Sequence, residues 1–298
     1  MRLVTRGDLD GLTCAVLITS CEDIDEIVLV HPQDITDKRL HITDDDIIAN
    51  LPYQAGVGKW FDHHLLTQSN ERPPEGFDGR YGLAPSAARM VYEYYVGRRP
   101  DLQRYERLLA ETDRLDSAQL SIDDVLEPKD YILLGYTLDP RTGLGDYQNY
   151  FRKMVGWLKT AGIDEVMKQP EVKDRVDRIR AQDSAFRERT KACSHLDGNV
   201  VFTDFRSESP LPVGNRFLVY TLFPSANISL RVHWGPSREH VAAAAGHSIF
   251  NRTSRTNIGE LMARYGGGGH RGAGTCLLDA GQAETQIAEI IATMKKDG

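Results

Sequence analysis

The chain has 298 residues, 41% hydrophobic and 27% charged, with a formal net charge of −7. That length supports a sizeable core and fits two ordinary domains, and the composition is globular rather than disordered. The negative balance excludes an extended duplex-binding surface, because duplex affinity comes chiefly from clustered Lys and Arg. A small anionic substrate in a locally basic pocket stays compatible with it.

From Met1 the chain runs straight into a short strand pattern, and Asp8 interrupts it before a signal-peptide core can form. No apolar run approaches ~18 residues, so no membrane span is expected. Cys14, Cys21, Cys193 and Cys276 show no C-x-x-C pairing and read as buried thiols of a reducing compartment. A cytoplasmic protein is the expectation.

Leu3 to Thr5 predicts a strand that ends in Arg6-Gly7-Asp8-Leu9-Asp10-Gly11, with a buried helix over Leu12 to Cys21 behind it. Asp8 and Asp10 then lie in a strand-to-helix turn at a helix N-terminus, a good place for a phosphate. Glu26 to Val30 and Asp46 to Leu51 read as further buried strands, and Lys59 to Phe61 leads into Asp62-His63-His64. Three ligand-type side chains at a strand tip suit a metal better than a core. Strands alternating with helical segments predict an α/β fold: a mostly parallel sheet with flanking helices, its ligands gathered at the strands' carboxyl ends.

Ala84-Pro85-Ser86 opens a helix that runs to Gly97, and Asp101 is placed to cap the next one, which delivers Asp113 and Asp116 at its end. Asp146 to Thr160 is a further amphipathic helix. Glu171 to Ala192 is charged and only narrowly apolar, as expected of a connector between two bodies. The expected organisation is a first domain over 1–170, a helical connector over 171–193 and a smaller α+β domain over 194–298. In that last part, strands are expected over Asn199 to Phe205, Phe217 to Leu222, Asn227 to Trp234, Val241 to Ala245 and Ala273 to Leu278. A short helix over Asn257 to Tyr265 precedes the glycine run Gly266 to Gly269, and a closing helix carries Ile287, Ile290, Ile291 and Met294 on one face.

Separated stretches thus offer metal ligands at loop positions: Asp8 with Asp10, the Asp44 to Asn50 segment, His63 with His64, and Asp113 with Asp116. Carboxylates with imidazole suit Mn²⁺ best, with Mg²⁺, Co²⁺ or Zn²⁺ as competitors. Two ions would need a shared bridging ligand and would activate a water against a phosphate. In the glycine run, backbone can approach a ligand closely and expose N–H groups to an anion. His270 and Arg271 add donors there, and Arg252 and Arg255 offer bidentate grips upstream.

The set D-L-D-G at Asp8 to Gly11, F-D-H-H at Phe61 to His64, an acidic helix end at Asp113 and G-G-G-G-H-R-G-A-G at Gly266 to Gly274 resembles the DHH phosphoesterase superfamily with its glycine-rich companion domain. The resemblance covers nearly the whole chain. It implies a two-manganese hydrolase of phosphodiester or phosphoanhydride bonds. The substrate would be a short single-stranded oligonucleotide or a nucleotide such as phosphoadenosine phosphate. An exopolyphosphatase is the alternative enzyme, and a metal-poor, catalytically weakened nucleotide-binding relative the alternative class.

Carried onto this chain, the resemblance makes Asp8, Asp10, His63 and Asp113 metal ligands, with Asp46 or Asn50 as the bridging one. Asp62 would orient His63, and His64 would meet the substrate phosphate. Arg252, Arg255, Gly267, Gly268, Gly269, His270 and Arg271 would hold the distal nucleotide. Two departures stand out: Val4 occupies the place where many members carry a His, and Asn50 that of the bridging Asp. No long duplex and no membrane partner is implied, and a homodimer is an open alternative.

Overall fold

The computed structural model describes residues 1–64, 66, 71–138 and 144–298. Two compact units emerge, one from Met1–Gln119 with Pro128–Ile179, the other from Leu120–Glu127 with Arg180–Gly298. In chain order the first elements are β1 (Arg2–Thr5), α1 (Leu9–Ile18), β2 (Glu26–Leu29), α2 (Pro32–Thr36), β3 (Asp46–Ala49), β4 (Lys59–Asp62), β5 (Gly79–Tyr81), α3 (Ala87–Tyr95) and α4 (Glu106–Asp116). There follow α5 (Ile122–Leu126), α6 (Asp130–Thr137), α7 (Tyr147–Thr160), α8 (Ile163–Val166) and α9 (Pro170–Ala192). Helix α5 belongs to the second unit, and α9 passes from the first to the second between Ile179 and Arg180.

The first unit is built on a five-stranded sheet of order β2-β1-β3-β4-β5, parallel at every pairing. Its central strands β1, β3 and β4 are short and buried on both faces, the pattern of a sheet covered on both sides. Leu3, Ile47 and Phe61 face one layer with α1, α3, α4 and α7, whereas Val4, Ile48 and Trp60 face the other with Ile35, Ile42 and Leu51. Every residue of α1 is buried, as befits a helix apolar all round. This helix starts three residues earlier than expected, because Asp8 caps it by accepting from Gly11 N. Asp10 therefore lies inside the first turn. Gly11 is obligatory there: a Cβ would stand 2.0 Å from the Arg6 carbonyl oxygen.

Because β1, β3 and β4 run parallel as neighbours, the residues after them, Arg6 to Asp8, Asn50 and His63 to His64, emerge at one edge of the sheet. Ser86 caps α3 by accepting from Arg89 N. The expected cap by Asp101 does not form; Pro100–Tyr105 is a tight 3-10 turn, and α4 starts after it without a side-chain cap.

The second unit continues with β6 (Ser194–Asp197), β7 (Val200–Asp204), α10 (Leu218–Leu222), β8 (Ile228–Trp234), β9 (His240–His247), α11 (Ile258–Ala263), β10 (Gly268–His270), β11 (Ala273–Asp279) and α12 (Ala283–Asp297). Its sheet has the order β10-β11-β9-β8-β7-β6, with β7 and β8 parallel and the other pairs antiparallel. Alternate residues of β8, β9 and β11 are buried in a core shared with Ile258, Leu261, Ile287, Ile290 and Met294 of α11 and α12.

Two expectations fail in this unit. Phe217 to Leu222 is helical rather than extended: Leu218 packs with Phe186 and Phe205, and Asn215 Oδ1 accepts from Phe217 N at the helix start. A six-residue run, apolar except for Thr221, carries no periodicity that separates the two states. The glycine run, read without a strand of its own before Ala273, contains β10, which pairs with β11 as a hairpin through Gly268↔Thr275 and His270↔Ala273. Among the described residues no helix is long and apolar enough to cross a membrane.

Candidate metal centre

At the carboxyl edge of the parallel sheet, three side chains converge from three elements. Asp10 of α1, His63 after β4 and Asp116 at the end of α4 each offer a ligand atom, all within 4.8 Å of one another. His63 Nε2 lies 3.1 Å from Asp116 Oδ2 and 3.8 Å from Asp10 Oδ2. Neither contact is aligned as a hydrogen bond, and Nε2 is a buried nitrogen without a partner among the described residues. At its other nitrogen the ring is anchored, with Nδ1 3.0 Å from the Ala84 carbonyl oxygen. A carbonyl can only accept, so Nδ1 carries a proton, and Nε2 is the nitrogen that would ligate an ion once its own proton is displaced.

Asp10 is held firmly. Its side chain is buried, and its two oxygens accept from Ala88 N at 2.8 Å and Ala87 N at 2.9 Å, first-turn amides of α3 that have no partner within the helix. Burial, and then the charge of Asp116, pushes its pKa well above the usual carboxylate range. Burial works against charge on His63 too, but Asp116 and Asp10 overcome it and raise that imidazole to about 9. A buried carboxylate, Asp10, that resists ionising beside the His63 imidazole marks a place short of positive charge. Such a donor set, two carboxylates and one imidazole, fits Mn²⁺ and its divalent competitors.

The paired motif divides differently from the expectation. Asp62 accepts from His63 N at 2.9 Å and binds His64 Nδ1 at 2.7 Å, so it orients His64, while the Ala84 carbonyl orients His63. Asp62, His63 and His64 also form a group close enough to share an ion. Asp113, expected as the ligand from α4, turns away: it is gripped by Arg89 and accepts from Ser86 Oγ at 2.6 Å. One helical turn later, Asp116 takes the place beside His63.

Asp8 spends its oxygens on the chain itself, accepting from Gly11 N at 2.9 Å and Asn50 Nδ2 at 3.0 Å and pairing with Arg6 at 3.1 Å. Asn50, at φ 58 just past β3, leaves its Oδ1 buried and unpartnered. Asp46 is not at this edge. It sits at the opposite end of β3, where Arg2 binds it through two nitrogens at 2.7 and 2.8 Å. Val4 faces the apolar layer of Ile48 and Trp60.

In the second unit, Arg252 Nε donates to the Ile249 carbonyl and Arg255 Nε to the Asp297 carbonyl. Both side chains are exposed, as are His270 and Arg271 at the hairpin turn. Gly267 and Gly269 are explained by packing, since a Cβ at Gly267 would stand 2.0 Å from the Thr275 oxygen and one at Gly269 2.2 Å from the Ala273 oxygen. Gly268 has open space on its Cβ side. His247, which sequence reasoning did not single out, lies beside this turn: its N donates to the Gly272 carbonyl, and Nε2 is 2.9 Å from the Thr256 carbonyl. Arg6, Ser86 and Arg89 were likewise missed as site residues. Only Arg6 had a signal, its place two residues before Asp8.

No protein-family model matches the chain, and neither does any curated protein. Among solved structures it is similar to a pGpG-specific phosphodiesterase from Vibrio cholerae: 40% identical, TM-score 0.84, over 100% of this chain and 99% of that one. The fold is shared with the DHH domain of a ribosomal-protein-family member (11% identical, TM-score 0.68, 99% and 86% covered). It is shared too with the exonuclease RecJ bound to manganese (14% identical, TM-score 0.57, 98% and 90% covered). Likeness over full length at that identity, with the Asp-His-His strand end in a parallel sheet, establishes the chain as a phosphoesterase and a member of the DHH phosphoesterase superfamily.

Proposed function

We propose that the protein is a divalent-metal-dependent phosphodiesterase of the cytoplasm that hydrolyses short linear oligoribonucleotides, with pGpG as the substrate to try first. The observation that carries this reading is the 40% identity, end to end, with a pGpG-specific phosphodiesterase. The convergence of Asp10, His63 and Asp116 supports its metal dependence. Those three side chains would hold the ion, with the unpartnered Asn50 Oδ1 as a further oxygen donor and Mn²⁺ as the best match. When bound, such an ion supplies Lewis-acid polarisation of the phosphate and a water of lowered pKa.

The chain's own residues do the positioning. The α3 amides fix the carboxylate of Asp10, and the Ala84 carbonyl fixes the tautomer of His63. Asp62 holds the His64 ring by Nδ1, and the imidazole so oriented is assigned to a phosphate oxygen of the substrate. In the second unit, Arg252, Arg255, His270 and Arg271 are assigned to the distal part of the substrate by the chemistry of their donors.

The test gives the full chain, with Mn²⁺ or with chelator, pGpG, a five-nucleotide RNA, phosphoadenosine phosphate, a cyclic dinucleotide and polyphosphate. Chelator-sensitive cleavage of pGpG at the highest kcat/KM is the expected result. Turnover of polyphosphate alone would reject the reading, and nucleotide binding without turnover would replace it with a non-catalytic relative.

A further inference from the structure

Among the described residues the centre has two ligand groups that share His63, one with Asp10 and Asp116 and one with Asp62 and His64, and a carboxylate, Asp8, already occupied. The ligand atoms of Asp10, His63 and Asp116 lie within 4.8 Å of one another, and among the described residues Asp8 belongs to no such group. Its oxygens are taken by Gly11 N, Asn50 Nδ2 and the guanidinium of Arg6, 3.1 Å away. A guanidinium is a permanent cation, so Asp8 has its counter-charge from the chain.

Three further observations bear on a second ion beside Asp8. Two dications at close range repel strongly and need a bridging anion. At the carboxyl end of β3, beside the exit of β1, the side chain is the neutral amide of Asn50, and its nitrogen faces Asp8. The carboxylate of the same strand, Asp46, is tied to Arg2 at the other end. Lastly, the position four residues before Asp8 is Val4, fully buried among Ile48 and Trp60, and supplies no donor.

We propose that Arg6 stands at Asp8 as a fixed cation and that the centre holds one divalent ion, at Asp10, His63 and Asp116, instead of two. The inference rests on the metal-dependent phosphoesterase reading and deepens it. Arg6 is 43% exposed and has N–H donors beyond the one on Asp8, so it also meets the substrate phosphate in the fork geometry that guanidinium offers. Asp8 is then the residue that orients Arg6, not a metal ligand.

The test counts Mn²⁺ on the chelator-stripped full chain by native mass spectrometry and titration calorimetry, with electron paramagnetic resonance to report coupling between ions. One ion per chain with an uncoupled Mn²⁺ spectrum is expected, unchanged in Asp8→Asn and lost in Asp116→Ala. In Arg6→Ala the stoichiometry stays at one or above while kcat/KM on pGpG falls about 10–100-fold, the loss expected for a charge-assisted contact. Circular dichroism melts verify that each variant is folded. Two ions per chain, an exchange-coupled spectrum, or loss of the ion in Asp8→Asn would overturn the proposal while leaving the phosphoesterase reading intact. A wild-type chain that binds no Mn²⁺ and cleaves pGpG in chelator would overturn both.

Discussion

Asp113 and Asp116 lie three residues apart on α4 and face different partners. Asp113 completes a brace with Ser86 and Arg89 of the α3 region, while Asp116 stands beside the orphaned nitrogen of His63. Asp116→Ala should therefore abolish Mn²⁺ binding in calorimetry. Asp113→Asn keeps an acceptor for Arg89 and should weaken Mn²⁺ binding only about 10–100-fold, as loss of an outer partner does. The reverse ranking would make Asp113 the ligand. Asp46 offers a separate test of a residue removed from the centre. Burial opposes its charge, but Arg2 and Thr43 prevail and hold its pKa below the ordinary value. A carboxyl with a folded-state pKa below its unfolded one stabilises above about pH 4 and loses that contribution as pH falls through the folded value. Asp46→Asn should cost about 1–3 kcal/mol in urea unfolding at pH 7. A penalty that persisted undiminished at pH 2 would show that the ion pair is not its source.

At the scale of elements, the glycine run of the second unit separates packing from ligand binding. Gly267 passes so close to β11 that a Cβ would overlap the Thr275 oxygen, whereas Gly268 next to it has open space. Gly267→Ala should cost about 3 kcal/mol or more and Gly268→Ala little, read as Tm by calorimetry. Equal tolerance would return the run to an open, ligand-only loop. The same contrast shows what the chain discloses before folding. Strands β1, β3, β4, β8, β9 and β11 were legible because each is a bounded apolar run, and the two amphipathic helices α7 and α12 because their period is sustained. The Asp-His-His strand end was legible as chemistry. Helix α10 was not, since its five residues, Leu218 to Leu222, fit either state, and neither was β10, whose glycines have no side-chain pattern. The choice between Asp113 and Asp116 was hidden for another reason. It depends on which side of α4 packs against α1, where Thr112 meets Thr13 at 2.7 Å, and that is settled by tertiary contact alone.

For the molecule as a whole, the candidate metal centre and the glycine-rich hairpin are built on separate cores. The first unit buries Leu12, Leu17, Ile47 and Phe61 around the parallel sheet, and the second buries Ile228, Leu230, Val241 and Ile290 around its mixed sheet. The candidate ligands Asp10, His63 and Asp116 all belong to the first. An ion that binds only the folded first unit stabilises that unit by mass action, about 2.7 kcal/mol at a free concentration one hundred times Kd. For a body of that size each kcal/mol moves Tm by about 2–4 °C, so saturating Mn²⁺ should raise one calorimetric transition by about 5–11 °C. The transition of the second unit should stay where it is, and Asp116→Ala should remove the shift without lowering the metal-free Tm of either unit by much. If both transitions rose together under Mn²⁺, the units would unfold as one cooperative body. If neither rose in the wild-type chain, the cluster of Asp10, His63 and Asp116 would not be a metal centre.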